Sequence, residues 1–218
     1  MTTTIGQTGN LSRMVSWIDS AWEELQTEHD DWAFMASRTH LGNGAMFNTV
    51  AGLASYPLGT GAGTSGVTAA TFGKWDRDTF RNYTTSIGQT NEMFMDEISY
   101  DAWKDTYLFG ANRNVQTRPN VIAIGGDESL CLGPPPNGLY TVTGDYYTAP
   151  TVMAADADVP QGLPNHFHMA IVYKAMTYYA GYEAAPEVFQ RGAAGYSLLL
   201  SQLEALKLSP ITFGGALA

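Results

Sequence analysis

The chain has 218 residues, of which 44% are hydrophobic and only 15% charged, so it can bury a sizeable core, and wholesale disorder is excluded. Eleven basic against 21 acidic residues give a net charge of −10, which argues against a phosphate-binding stripe and against docking on anionic lipid. The single cysteine, Cys131, rules out an intrachain disulfide and zinc sites built on cysteine clusters. So little surface charge favours a subunit covered by partner chains. No apolar run approaches the ~18 residues of a membrane span. The segment Met1–Gly6 lacks the basic and apolar regions of a signal peptide, so production in a cytosol is expected.

Three zones follow one another. In the first, residues 1–36, Leu11, Val15, Ile18, Trp22 and Leu25 recur at helical spacing, with Asp19, Glu23 and Gln26 on the other side. Asn10 or Ser12 can cap this helix. Trp32, Phe34 and Met35 are expected to fold back on it in a short second element. The second zone, 37–150, begins with a stretch from Thr39 to Gly73 that holds no Asp, Glu, Lys or Arg. It is rich in Gly, Ala, Thr and Ser and reads as a long loop or weak hairpin. Phe94–Trp103 stays ambiguous. Val121–Ile124 ends at the turn Gly125–Glu128, Ser129–Leu132 ends at the Pro-rich turn Gly133–Gly138, and Leu139–Tyr147 alternates. This pattern predicts an antiparallel meander. The third zone, 151–208, holds two helices, Asn165–Gly181 and Pro186–Lys207, turning at Gly181–Ala185. Phe167, Ala170, Ile171, Ala175, Tyr178 and Tyr182 line one; Phe189, Ala193, Tyr196, Leu200 and Leu203 line the other. A charge-free tail, 209–218, begins after the helix, which Pro210 stops. The fold class is α+β: a helical bundle from both chain ends with an inserted antiparallel β region.

Candidate chemistry is sparse. Gly61-Ala62-Gly63-Thr64-Ser65-Gly66 has dinucleotide-loop spacing but neither a buried strand before it nor a helix after it, so it reads as a loop. Asp156, Asp158, His166 and His168 could belong to a small enzyme or a metal-binding protein. Histidines two apart on a helix point away from each other, however, and the acidic pair suits a helix start. Cys131 lies in an apolar strand pattern and reads as core. The five tryptophans read as core or interface anchors. These residues give no catalytic set, no cofactor site and no metal site.

Two groups of residues carry a resemblance. One is Trp17-Ile18, Ala21-Trp22, Leu25-Gln26, then Asp31-Trp32 and Phe34-Met35. The other is Leu132–Pro136, Tyr146-Tyr147, Pro150, Asp156, Asp158, Pro160, Leu163-Pro164 and His168–Ala175. Together they resemble the tailed-phage head-to-tail adaptors of the SU10 type. The resemblance implies a structural virion protein of the neck, at the head–tail junction, without catalytic residues. It implies a homo-oligomeric ring of about twelve subunits below the portal protein, joined to tail proteins of the nozzle or tail tube. Genomic DNA would pass through without specific binding, and no membrane is involved. It further implies that the β region projects towards the tail.

Three expectations follow. Part of the −10 charge should face the lumen, repelling phosphate within a screening length of about 10 Å. Thr39–Gly73 should be poorly ordered in the free subunit and ordered by neighbours. Ile211, Phe213 and Leu217 of the tail should dock in a groove of the portal or of an adjacent subunit.

Overall fold

The structure, a computed structural model, describes residues 10–109, 111–155 and 157–207. In chain order its main elements are α1 (Asn10–Thr27), β1 (Ala36–Ser37), β2 (Ala45–Asn48), β3 (Ser55–Tyr56), β4 (Phe72–Thr84), β5 (Met93–Phe94), β6 (Asp96–Glu97), α2 (Tyr100–Trp103), β7 (Val121–Ile124), β8 (Leu130–Gly133), β9 (Tyr140–Thr148), α3 (His168–Glu183) and α4 (Pro186–Lys207). The fold is α+β. Two compact units divide the chain: one combines the residues up to Met35 with those from Pro150 onward, and the other is Ala36–Ala149.

In the helical unit, α3 packs against both α1 and α4. α1 runs antiparallel to α3. Arg13 near its start donates to Tyr182 Oη, Trp17 meets the rings of Tyr179 and Tyr182, and Glu24 near its end meets Lys174 and Tyr178. Ala21, Trp22 and Leu25 are buried, while Ile18, on the same stripe, is 37% exposed. The chain after α1 folds back as a single 3-10 turn, Ala33–Met35. Trp32 is fully buried and donates its Nε1 proton to the Leu25 carbonyl at 2.9 Å, and Phe34 stacks on both Trp22 and Trp32. Gln26 ties the returning chain down, donating to the Thr151 carbonyl at 2.9 Å and accepting from its amide at 2.8 Å.

The α3–α4 turn differs from expectation. α3 runs past Gly181 to Glu183, and Ala184 takes the left-handed position with φ 50°. The glycines of α4 serve close packing instead: a Cβ on Gly195 would lie 2.7 Å from the Tyr173 ring. Phe189 leaves the expected apolar stripe and is 51% exposed, because the inward line of α4 passes through Gly192, Tyr196 and Leu203.

A polar cluster sits between the helices. Lys174 Nζ lies 2.5 Å from Glu24 Oε1, Tyr178 donates to the other carboxylate oxygen, and Lys174 lies over the Tyr196 ring. Burial raises the Glu24 pKa, but the hydrogen bonds from Lys174 and Tyr178 and the lysine charge outweigh it, and the net shift is downward. A carboxyl whose folded pKa is depressed stabilises the fold above its unfolded value and loses that contribution as pH falls through the folded value. The helical unit should therefore weaken on acidification from the ordinary glutamate value of 4.5 downward. Thermal unfolding of wild type and Glu24→Gln against pH checks this: their difference should shrink at acid pH. The carboxylate is partly exposed, so the effect is small.

The other unit has two sheets. One has the order β1-β9-β4-β5, with β2 also paired to β9; the other has β3-β8-β7-β6. Phe47, Phe72, Trp75, Phe80 and Val142 from the first share one core with Tyr56, Ile122, Leu130 and Leu132 from the second. The expected meander holds only for its first hairpin, β7–β8, which turns at Gly125–Glu128. β9 belongs to the other sheet, and β6 pairs with β7 in parallel. The reason is burial on two faces. Ala123 and Cys131, on the second face of the hairpin, are covered by Trp103, Ile98 and Tyr107. Trp103 donates to the Leu132 carbonyl at 3.0 Å. The ambiguous segment Phe94–Trp103 thus supplies β6 and the lid α2.

The charge-free stretch Thr39–Gly73 is also corrected. β2 pairs with β9 from Ala45↔Gly144 to Asn48↔Thr141, β3 pairs with β8, and Ala45, Phe47, Tyr56, Val67 and Phe72 are core residues. The segment is part of the subunit's own core, not a loop awaiting a neighbour. Its glycines make this packing feasible: Gly66, with φ 78°, sets its backbone against Met46 of β2.

Candidate functional site

The residues singled out from the sequence do not converge. Asp156, Ile211, Phe213 and Leu217 lie outside the described residues. The Asp158 carboxylate accepts the Ala154 and Ala155 amides at 2.8 and 2.9 Å, closing a turn. His166 is exposed, with its ring against Phe167, while the Nε2 of His168 lies 3.0 Å from the Leu163 carbonyl. The two histidines thus have separate local partners. Among the described residues no group of three His, Cys, Asp or Glu side chains could hold a metal. Burial pushes the Cys131 thiol pKa up, and its neighbours are the hydroxyls of Ser55 and Ser129. The Gly61–Gly66 segment follows β3 and leads into β4 with no helix between.

The polar clefts of the sheet unit are built from side chains that are largely paired. One of 590 Å³ is lined by His40, Asp78, Arg81, Glu92 and Asp145. Arg81 lies 3.7 Å from Glu92, and Arg38 joins Asp145 to Asp76.

What the molecule offers instead is exposed apolar surface, which soluble proteins use for contact with partners. In the helical unit a groove of 190 Å³ runs between α1 and α3, lined by Met14, Trp17, Ile18, Val172, Ala175, Met176 and Tyr179. None of these side chains is charged. In the sheet unit, four connections meet at one end, three of them bonded to the β8–β9 connection. Gly52 donates to the Pro136 carbonyl at 2.7 Å, Thr85 to that of Leu139 at 3.4 Å, and Thr117 to that of Pro135 at 3.1 Å. Exposed Val50, Ile87, Val115 and Leu139 lie on these connections. The first surface was half legible, since Ile18 belongs to the α1 stripe. The second depends on loops that only the tertiary fold brings together. Among the described residues no helix is long and apolar enough to cross a membrane.

The class so defined is an α+β protein with a helical unit and a two-sheet unit, each carrying exposed apolar residues. A family model described as SU10 adaptor protein matches residues 3–212, nearly the whole chain and including the stretch Thr39–Gly73. The chain belongs to the SU10 adaptor protein family. It is a bacteriophage adaptor, a structural protein of the virion whose partners in general are portal and tail proteins. No curated protein matches it.

Proposed function

We propose that copies of this chain form a ring below the portal, at the neck of the virion, joining the portal to the tail and leaving a passage for DNA. The observation that carries this reading is the family match over both units, joined to the uncharged apolar surfaces on each. Two separately packed units give one subunit two platforms for contact. The net charge of −10 suits a passage that must not hold phosphate. In this reading the charge-free tail docks on the portal or on a neighbouring subunit, with Ile211, Phe213 and Leu217 as its apolar contacts.

Mixing the full chain with purified portal rings, followed by electron microscopy, tests the reading. A second ring stacked on the portal is expected. A chain truncated after Leu208 should keep its circular dichroism and melting behaviour but lose binding. Full binding by the truncated chain would end the tail-docking part. No binding by the full chain would end the adaptor-ring reading itself.

A further inference from the structure

The ring reading leaves open which surfaces join one copy to the next, and the helical unit carries two that fit each other. The first is the outer face of α4. From Gly192 to Leu203 the helix has no charged side chain. Its inward line uses Gly192, Tyr196 and Leu203, while Ala194, Ser197, Leu198 and Ser201 face outward, with Leu198 60% exposed. A helix face that stays in water carries charged residues. This one carries small residues around one leucine, over twelve residues or about 18 Å of helix.

The second surface is the groove between α1 and α3. Met14, Ile18 and Val172 stand exposed along it, with Trp17, Met176 and Tyr179 as further walls. Exposed Met169 and Tyr182 extend the apolar line along α3, giving about 20 Å in all. The two surfaces match in length, and the groove lining is uncharged like the α4 face, the Arg13 guanidinium over the Tyr182 ring being the charge at its far end. They also match in relief, because small residues let a helix settle deeply and Leu198 supplies a knob. The outer face of α4 points away from α3, so a chain cannot fill its own groove with it. The two surfaces are distinct, so a contact between them is heterologous, the kind that closes into rings.

We propose that adjacent copies join head to tail through their helical units, with the outer face of α4 from one copy lying in the α1/α3 groove of the next. This rests on the ring reading above. The second copy is the chosen occupant because this chain itself supplies the complementary uncharged helix of the right length.

The test uses two full-length variants with charges placed at exposed positions, Val172→Glu in the groove and Leu198→Glu on α4. Melting curves confirm that both fold. Association is read by native mass spectrometry, free and on portal rings, under conditions where wild-type chains form rings. Each variant alone should stay monomeric. An equimolar mixture should stop at a 1:1 dimer, because one partner keeps an intact α4 face and the other an intact groove. Variants that form rings like wild type would overturn the proposal and leave the ring reading standing. A mixture that stays monomeric would also overturn it, since the two surfaces would then not complement each other. Wild-type chains that never associate, free or on the portal, would bring down the ring reading and this proposal with it.

Discussion

Replacing Trp32 with alanine should cost the helical unit about 3–5 kcal/mol, the range for deleting a large aromatic from a packed core. The ring is fully buried, edge-on to His29 at 4.9 Å and stacked on Phe34 at 5.4 Å. Its Nε1 proton goes to the Leu25 carbonyl, one of the last in α1 and so without a helical partner of its own. The side chain therefore serves as core and as helix cap. Trp32→Phe separates the two, keeping much of the apolar area and losing the bond, at a cost nearer 1 kcal/mol for the bond itself. Denaturant unfolding followed by far-ultraviolet circular dichroism measures both. Equal losses for the two variants would show that the ring area contributes little and that the hydrogen bond dominates.

How far the fold could be read depended on how local its causes are. α1, α3 and α4 repeat their apolar residues within single turns, so periodicity found them and placed α4 at Pro186–Lys207. The fold-back at Trp32 was legible because aromatic residues directly follow a helix with an apolar face. β2 was not. Ala45-Met46-Phe47-Asn48 alternates buried and exposed, but four residues are too few to stand out, and their partner is β9, remote in sequence. β4 was hidden differently. Lys74, Asp76, Arg77, Asp78 and Arg81 blur its alternation, and register shifts between Phe72 and Lys74 and between Asp76 and Arg81 break the two-residue period. The α1/α3 groove shows a third limit. Ile18 and Leu25 lie on one stripe, yet Leu25 is buried and Ile18 is not. Periodicity says which residues share a face; it does not say how far along the helix the chain's own partners reach.

Gly66→Ala should destabilise the sheet unit by about 2–5 kcal/mol, combining left-handed backbone strain of roughly 1–2 with overpacking of roughly 1–3. Gly66 has φ 78°, and a Cβ there would lie 2.5 Å from the Met46 carbonyl oxygen. That atom is backbone, so relief requires β2 to move, and β2 is held by its pairing with β9 and by Ala45 and Phe47 in the core. The glycine cannot swing away either. Ser65 and Val67 on its two sides are buried, and the Ser65 amide donates to the Pro57 carbonyl at 2.9 Å. Gly61 in the same loop is the control, because a Cβ there meets nothing within 4 Å and its φ lies outside the left-handed region. Gly61→Ala should be neutral, or stabilising by about 0.4–1 kcal/mol through a less flexible unfolded chain. Denaturant midpoints of the free protein measure both, and amide exchange across Ala45–Asn48 should speed up in Gly66→Ala alone. Matching midpoints for the two variants would mean that this charge-free loop does not bear on β2 in the free subunit. A large gap would mean that the subunit completes this core by itself, before any neighbour arrives.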